Sequence, residues 1–336
     1  MSKLWIPARI LVITLTVALL VGACGPTATP APASAPAKEQ AAPAFDPSSL
    51  KIGYAVQTLG NPVFTTIVNG GKDAAKKSGA NPDNFVVFAA ENDLPTQVKQ
   101  VEDAIQQHLD LLVLHPVDVQ GMLDVTKRAV DSGITVVNAG EKMEGTGAIA
   151  RVVFTECENG HKVGQYVSDF LGEKGGKVVL LDGIVGEFTA VTRATCFLEI
   201  LQKNPNIELV ARQPANYDRG QGLSVMENIL QAQPKIDVVY AVNDEMALGA
   251  LQAISAAGRA AEMIVIGTDG GEEALQSVRD GGLHATLLLP MAKMGYMAVE
   301  TGIKHLKGET VSDTVEIPTY LITSENVDKA AELASQ

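Results

Sequence analysis

The sequence predicts an α/β protein of two doubly wound, Rossmann-like lobes, each built on a parallel sheet. Short β-branched runs alternate with amphipathic stretches of 10–15 residues. Strands that are apolar throughout, separated by such helices, belong to sheets covered on both faces. The alternation is written twice along the chain. With 336 residues, 46% of them hydrophobic, there is chain enough for two cores at roughly 150 residues per domain.

The first elements in order are an address. Residues 1–23 carry Lys3 and Arg9, no acid, and the apolar run Ile10 to Val21. These are the n-region and h-region of an exported protein, and the run is shorter than the about 20 apolar residues that span a bilayer. It closes on Val21-Gly22-Ala23-Cys24, which resembles a bacterial lipobox with Val21 where Leu is usual. Cleavage before Cys24 would leave its thiol to carry diacylglycerol. A plain secretory signal with Cys24 left free is the alternative. Residues 25–49 hold six Pro and eight Ala without apolar periodicity, so 24–49 reads as a lipid anchor and extended tether. The expected location is extracytoplasmic, at a membrane face.

From Leu50 the strands of the first series are Lys51–Val56, Phe85–Ala89, Leu111–His115 and Thr135–Asn138. Helical patterns at Val63–Ser78, Thr96–His108 and Val119–Ser132 separate them. Val152–Thr155 opens the second series, followed by Lys177–Asp182, Glu208–Arg212, Asp237–Val242 and Ile264–Gly267. Its helices are Gly160–Leu171, Thr189–Lys203, Gly220–Gln231, Glu245–Ala256 and Glu272–Arg279. A strand His284–Leu289, a helix Ala292–Leu306 and a strand Val315–Ile322 remain, which suits a chain that returns to the first lobe.

Composition excludes several functions. The formal charge is −13, and loss of Lys3 and Arg9 leaves 24 cationic against 39 acidic side chains, or −15. A phosphate backbone needs clustered excess cation, so nucleic acid is not a partner. Three cysteines cannot build a disulfide scaffold, and no Cys-x-x-Cys or His-Glu-x-x-His spacing offers a metal site. In an oxidising compartment Cys157 and Cys196 can pair, and two buried free thiols fit the sequence equally well. No phosphate-binding glycine loop, dinucleotide fingerprint or nucleophile elbow is present, so no cofactor or catalytic residue is expected.

In open parallel sheets ligands bind beyond the carboxyl ends of the strands. After the first strand come Gly60-Asn61-Pro62 and Phe64. Asn61 is a good N-cap, and capping alone can explain it. His115 follows the third strand, and Asn138 and Gly140-Glu141 follow the fourth. In the second series Arg193 stands on the helix after Gly183-Ile184-Val185-Gly186. Tyr217 lies in Gln213-Pro214-Ala215-Asn216-Tyr217-Asp218-Arg219, Asn243 precedes Asp244-Glu245, and Asp269 lies in Thr268-Asp269-Gly270. Any one Asp or Asn here is an ordinary turn former. Together, facing across a cleft, amide, carboxylate and guanidinium groups suit a hydroxyl-rich ligand, and aromatic faces suit a sugar ring.

These stretches, above all Asn243-Asp-Glu-Met-Ala-Leu-Gly-Ala-Leu251 and Gly267-Thr-Asp-Gly270, resemble bacterial substrate-binding proteins of sugar ABC transporters, the ribose-binding type. The resemblance runs from about Lys51 to the C-terminus. It implies the type I periplasmic-binding-protein fold, a monomer without enzymatic activity, and delivery of one sugar or polyol to a membrane permease. It implies three crossings between the lobes, near Thr155, Leu289–Pro290 and Thr319–Tyr320. The lobes would then be 50–154 with 290–319, and 155–289 with 320–336. In the cleft it places Asn61, Phe64, Arg193, Tyr217, Asn243 and Asp269: Phe64 and Tyr217 against the ring, Asp269 accepting from hydroxyls, Arg193 donating. His115 stands where ribose binders have Asn, Gly140-Glu141 where they have Asp-Arg, Leu289 where they have Gln, and Val63 where they have an aromatic. Losing a buried bidentate Arg and a Gln removes bonds worth roughly 1.5–3 kcal/mol each, which counts against ribose itself. Asn138 offers a replacement amide.

Two other functional classes fit the same fold. A sugar-responsive repressor would need a basic helix-turn-helix segment where this chain has its signal. A ligand-sensing module, for a furanosyl signalling molecule or a nucleoside and serving a chemoreceptor or another importer, would have the same cleft.

Overall fold

A computed structural model describes residues 45–140 and 143–335. Cys24, the signal segment, most of the tether and Glu141 lie outside the described residues. Residues 45–49, assigned by composition to the tether, are folded: Asp46 caps a 3-10 turn over Pro47–Ser49, and Phe45 packs against the core under Lys307.

The first lobe begins with β1 (Ile52–Val56), α1 (Pro62–Ser78), β2 (Phe85–Ala89), α2 (Leu94–Gln106), β3 (Leu111–Leu114), α3 (Val119–Asp131), β4 (Thr135–Ala139) and β5 (Ala150–Val153). β1, β3 and β4 are apolar and buried almost throughout because helices cover both faces. The second lobe continues with α4 (Glu156–Leu171), β6 (Gly176–Asp182), α5 (Phe188–Leu201), β7 (Ile207–Pro214), α6 (Arg219–Ala232), β8 (Val238–Ala241), α7 (Asp244–Ala256), β9 (Ile264–Asp269), α8 (Glu272–Arg279) and β10 (Ala285–Leu288). The chain then returns as α9 (Met291–Leu306) and β11 (Thr314–Glu316), and ends with β12 (Tyr320–Thr323) and α10 (Ala330–Ser335).

The two sheets run β11-β5-β4-β3-β1-β2 and β12-β10-β9-β8-β6-β7. All first-sheet pairs are parallel. In the second sheet β12 is an antiparallel edge on β10, with Leu288 opposite Tyr320. Two expectations change. β5 does not open the second series but joins the first sheet between β4 and β11, where Ala139 faces Val152. The run Val315–Ile322 is not one strand: Pro318 cannot donate to a ladder, and Ile317-Pro318-Thr319 carries the chain from β11 in one sheet to β12 in the other.

The chain therefore passes between the sheets three times: at Phe154–Thr155, at Leu289–Pro290 and at Ile317–Thr319. Lys162 Nζ on α4 donates to the Thr319 hydroxyl at 2.9 Å, and that hydroxyl donates to Asn159 Oδ1 at 2.8 Å, tying the first passage to the third. Each series also contains helices packed almost backbone to backbone. Glycines make this possible where α1 meets α9 (Gly70, Gly295), α4 meets α5 (Gly160) and α6 meets α7 (Gly222, Gly249). A disulfide between Cys157 and Cys196 joins α4 to α5.

Candidate functional site

In both sheets the strand order reverses beside the first strand of the series: between β1 and β3, and between β6 and β8. A crevice opens at such a switch point because neighbouring connections leave on opposite faces. Here the two crevices share one cavity of about 540 Å³, within the range of small-molecule sites. Asn61, Phe64 and His115 line it from one series; Arg193, Tyr217, Asn243 and Asp269 line it from the other. Thr155 and Leu289 border it at two of the passages.

Helix caps fix the polar groups. Asn61 Oδ1 accepts from Val63 N at 3.0 Å at the start of α1, with Pro62 as the first helical residue. Asn243 Oδ1 accepts from Met246 N at 2.9 Å at the start of α7. Each amide oxygen is thereby committed, which leaves the NH2 groups as donors, and that of Asn243 reaches the Tyr217 carbonyl at 3.4 Å with one of its two N–H groups. Glu187 caps α5 through Thr189 N and Ala190 N, and its Oε2 also accepts from the Tyr217 hydroxyl at 2.8 Å. Tyr217 has a φ of 59°, and a Cβ on Gly183 would fall 2.2 Å from its ring. The bare Gly183 backbone is therefore the shelf on which the ring rests. Burial, then Glu187, pushes the Tyr217 hydroxyl well above its ordinary pKa, so it stays a donor.

Arg193 is almost completely buried. Its Nε and Nη2 donate to Glu156 Oε2 at 2.9 and 2.7 Å, and Nη1 donates to the Val242 carbonyl. Burial opposes the charge most strongly, but Glu156, Tyr240, Asp269 and Tyr217 together outweigh it, and the guanidinium is held above its ordinary value. Three of five N–H groups are used, leaving two for a ligand. Asp269 closes β9 at a φ of 126°. Burial first, then the neighbouring Asp244 carboxyl, holds it well above the carboxylate range. Asp244 is itself engaged by Thr286 Oγ1 at 2.7 Å and Gly271 N at 2.9 Å.

On the first-lobe side the His115 ring meets Phe64 edge to face, centroids 5.1 Å apart at 88°. Its Nδ1 is enclosed without a partner among the described residues, and burial lowers its pKa to about 4, against a small opposing pull from Glu187. A depressed imidazole pKa means that only the unfolded chain takes up a proton between pH 6.5 and 4. Stability is lost as pH falls through that window, by up to roughly 1.4 kcal/mol per pH unit. Urea unfolding of wild type and His115→Asn across this range should show less loss of stability on acidification in the variant than in wild type.

Sequence reasoning misplaced one group and missed others. Asn138 does not line the cavity. It is the penultimate residue of β4 and is buried, with Oδ1 unpartnered among the described residues. The cavity instead gains Arg151 from β5, anchored by Nε to Thr314 Oγ1 at 3.2 Å. A cation in the otherwise apolar strand Ala150-Arg151-Val152-Val153 was the available signal. Glu156, Glu187 and Gln57 also line the cavity. Two guanidinium groups, several carboxyls, three amides and several aromatic rings thus converge. That set can exchange paired hydrogen bonds with hydroxyls and cover an apolar ring face.

A family model described as a periplasmic binding protein domain matches residues 52–310. A ribose import binding protein of Bacillus subtilis is 36% identical over 272 residues, covering 81% of this chain and 87% of the relative. A D-allose-binding periplasmic protein of Escherichia coli is 33% identical over 260 residues, covering 75% and 82%. Among solved structures, an ABC transporter solute binding protein from Bacillus halodurans with bound myo-inositol superposes with a TM-score of 0.79 at 29% identity. That match covers 86% of this chain and 99% of the neighbour.

Proposed function

Because this chain belongs to the periplasmic binding protein family, whose matching members are sugar-binding components of ABC transporters and not enzymes, we propose that it captures a monosaccharide or related polyol and delivers it to a permease. The observation that carries the reading is the convergence of strand-end polar groups from both sheets on one cavity. In the bound state Asp269 accepts from one hydroxyl, the two remaining N–H groups of Arg193 donate to others, and Asn61 and Asn243 donate through their amides. Phe64 and Tyr217 cover the ring. Arg151 supplies a cation from the first lobe in place of the Arg that ribose binders carry after the fourth strand. A ligand held by both lobes favours the closed form in proportion to its differential affinity, with Thr155, Leu289, Pro290, Thr319 and Tyr320 as the hinge. Lipid on Cys24 would keep the protein at the membrane face beside its permease while the tether lets it sample solution.

A melting-temperature screen against pentoses, hexoses, polyols and nucleosides tests this reading. A true ligand at 100 times its dissociation constant should add about 2.7 kcal/mol of stability. A response in a pentose, hexose or polyol supports the proposal. Stabilisation by nucleosides alone, or none in any class, rejects it.

A further inference from the structure

We propose that Cys157, His161, Cys196 and Glu199 form a redox-gated metal site, which takes one Zn²⁺ per chain once the Cys157–Cys196 disulfide is reduced. The four residues come in two pairs, four apart on α4 and three apart on α5, so each pair shares one helix face. A search for ligands clustered along the chain misses this arrangement, because the pairs meet only when the helices pack. They pack closely: a Cβ on Gly160 would lie 2.3 Å from the Arg193 carbonyl oxygen and 3.1 Å from Cys196 Cβ. The ligating atoms of all four residues lie within 4.8 Å of one another. His161 Nε2 is 3.8 Å from Cys157 Sγ and 3.0 Å from Glu199 Oε2.

Tetrahedral Zn²⁺ with bonds of roughly 2.3 Å to sulfur and 2.0–2.2 Å to nitrogen and oxygen needs its ligand atoms about 3.3–3.8 Å apart. The imidazole and carboxylate already stand close to that spacing, and breaking the S–S bond lets the sulfurs separate to it. Two thiolates, an imidazole and a carboxylate form a donor set that suits Zn²⁺ above the hard cations. Cys196 is buried while His161 and Glu199 reach solvent, which gives the ion a route in.

The chemistry balances in two steps. A dithiol reductant delivers two electrons and two protons, giving two cysteine thiols and leaving as its own disulfide. Zn²⁺ then binds both sulfurs as thiolates and releases their two protons to solvent. In the disulfide form neither sulfur can ligate as a thiolate, so the site exists in one redox state only.

Co²⁺ is a suitable probe, since tetrahedral thiolate sites give it intense visible bands and near-ultraviolet sulfur-to-metal charge transfer. The full chain, reduced with a water-soluble phosphine that leaves as the phosphine oxide, water supplying the oxygen and the two thiol protons, should develop both signals at one Co²⁺ per chain and lose them to one equivalent of Zn²⁺. The oxidised chain should develop neither. Cys157→Ser/Cys196→Ser, which retains Cys24, should stay silent after reduction, and His161→Ala should weaken binding at least about tenfold. Absence of the signals in the reduced chain overturns the proposal. So do equal signals in the double serine variant, unchanged affinity in His161→Ala, or loss of far-ultraviolet circular dichroism on reduction before metal is added.

Discussion

Gly295→Ala should destabilise the protein by about 3 kcal/mol and lower Tm by roughly 5 °C or more, although alanine is the better helix former. The expectation sets two effects of opposite sign against each other. Gly295 lies inside α9, where intrinsic propensity favours alanine by about 1 kcal/mol. A Cβ there, however, would sit 1.8 Å from the Ile67 carbonyl oxygen of α1 and 3.1 Å from Gly71 N. The clash is with backbone, so no rotamer relieves it and the helices must move apart. The contact is reciprocal, since a Cβ on Gly70 would sit 1.8 Å from the Ala292 carbonyl oxygen. The movement is also not local, because α1 carries Asn61 at its cap and Phe64 in its first turn. Denaturant unfolding decides by sign alone: a stabilised Gly295→Ala would show that propensity outweighs the close packing of α1 on α9.

Much of this frame was legible because local chemistry and global fold agree. Asn61 followed by Pro62 favours a helix start locally, and α1 begins there. The apolar runs at Ile52–Val56 and Leu111–Leu114 admit little but a strand buried on both faces. The strand-end rule then found seven of the cavity's residues without any knowledge of distance. What stayed hidden depended on contacts remote in sequence. Ala150–Val153 looks the same whether it ends one sheet or begins the next, and only pairing with β4 and β11 decides. Asn138 stands one residue short of its strand end and is buried there, outside the cavity lining. Arg151 escaped because a side chain inside a strand reaches the cavity only through its length. The partnering of Cys157 with Cys196 needed two helices brought together across 39 residues of chain, by Gly160 lying against the Arg193 backbone, which composition does not encode.

Arg193→Met should abolish ligand binding and also cost about 3–5 kcal/mol of stability, which makes it a poor variant when used alone. The loss arises because Glu156, only 14% exposed at its side chain, would keep its carboxylate without the guanidinium that neutralises it. Adding Glu156→Gln removes that stranded charge and should recover most of the stability without recovering binding. Asp269→Asn is the complementary probe. Asn tolerates the positive φ of this position, and an amide resembles the neutral carboxyl that burial and Asp244 favour there. Folding should therefore be preserved near neutral pH, while above the raised pKa, where wild type presents the ionised carboxylate, affinity falls roughly 10–150-fold, the loss of one hydrogen bond to a charged acceptor. The sign of the pH dependence follows from the raised pKa of Asp269. The folded chain holds a proton that the unfolded chain has released, so wild-type stability falls as pH rises from the ordinary carboxylate range through the raised value. Asp269→Asn should flatten that part of the profile. In the same window a ligand hydroxyl that needs the ionised carboxylate should bind wild type more tightly as pH rises. Calorimetric titration of wild type, Asp269→Asn and the Arg193→Met/Glu156→Gln pair with the ligand found by the melting screen tests the assignment. Equal affinity in all three would remove both residues from the site.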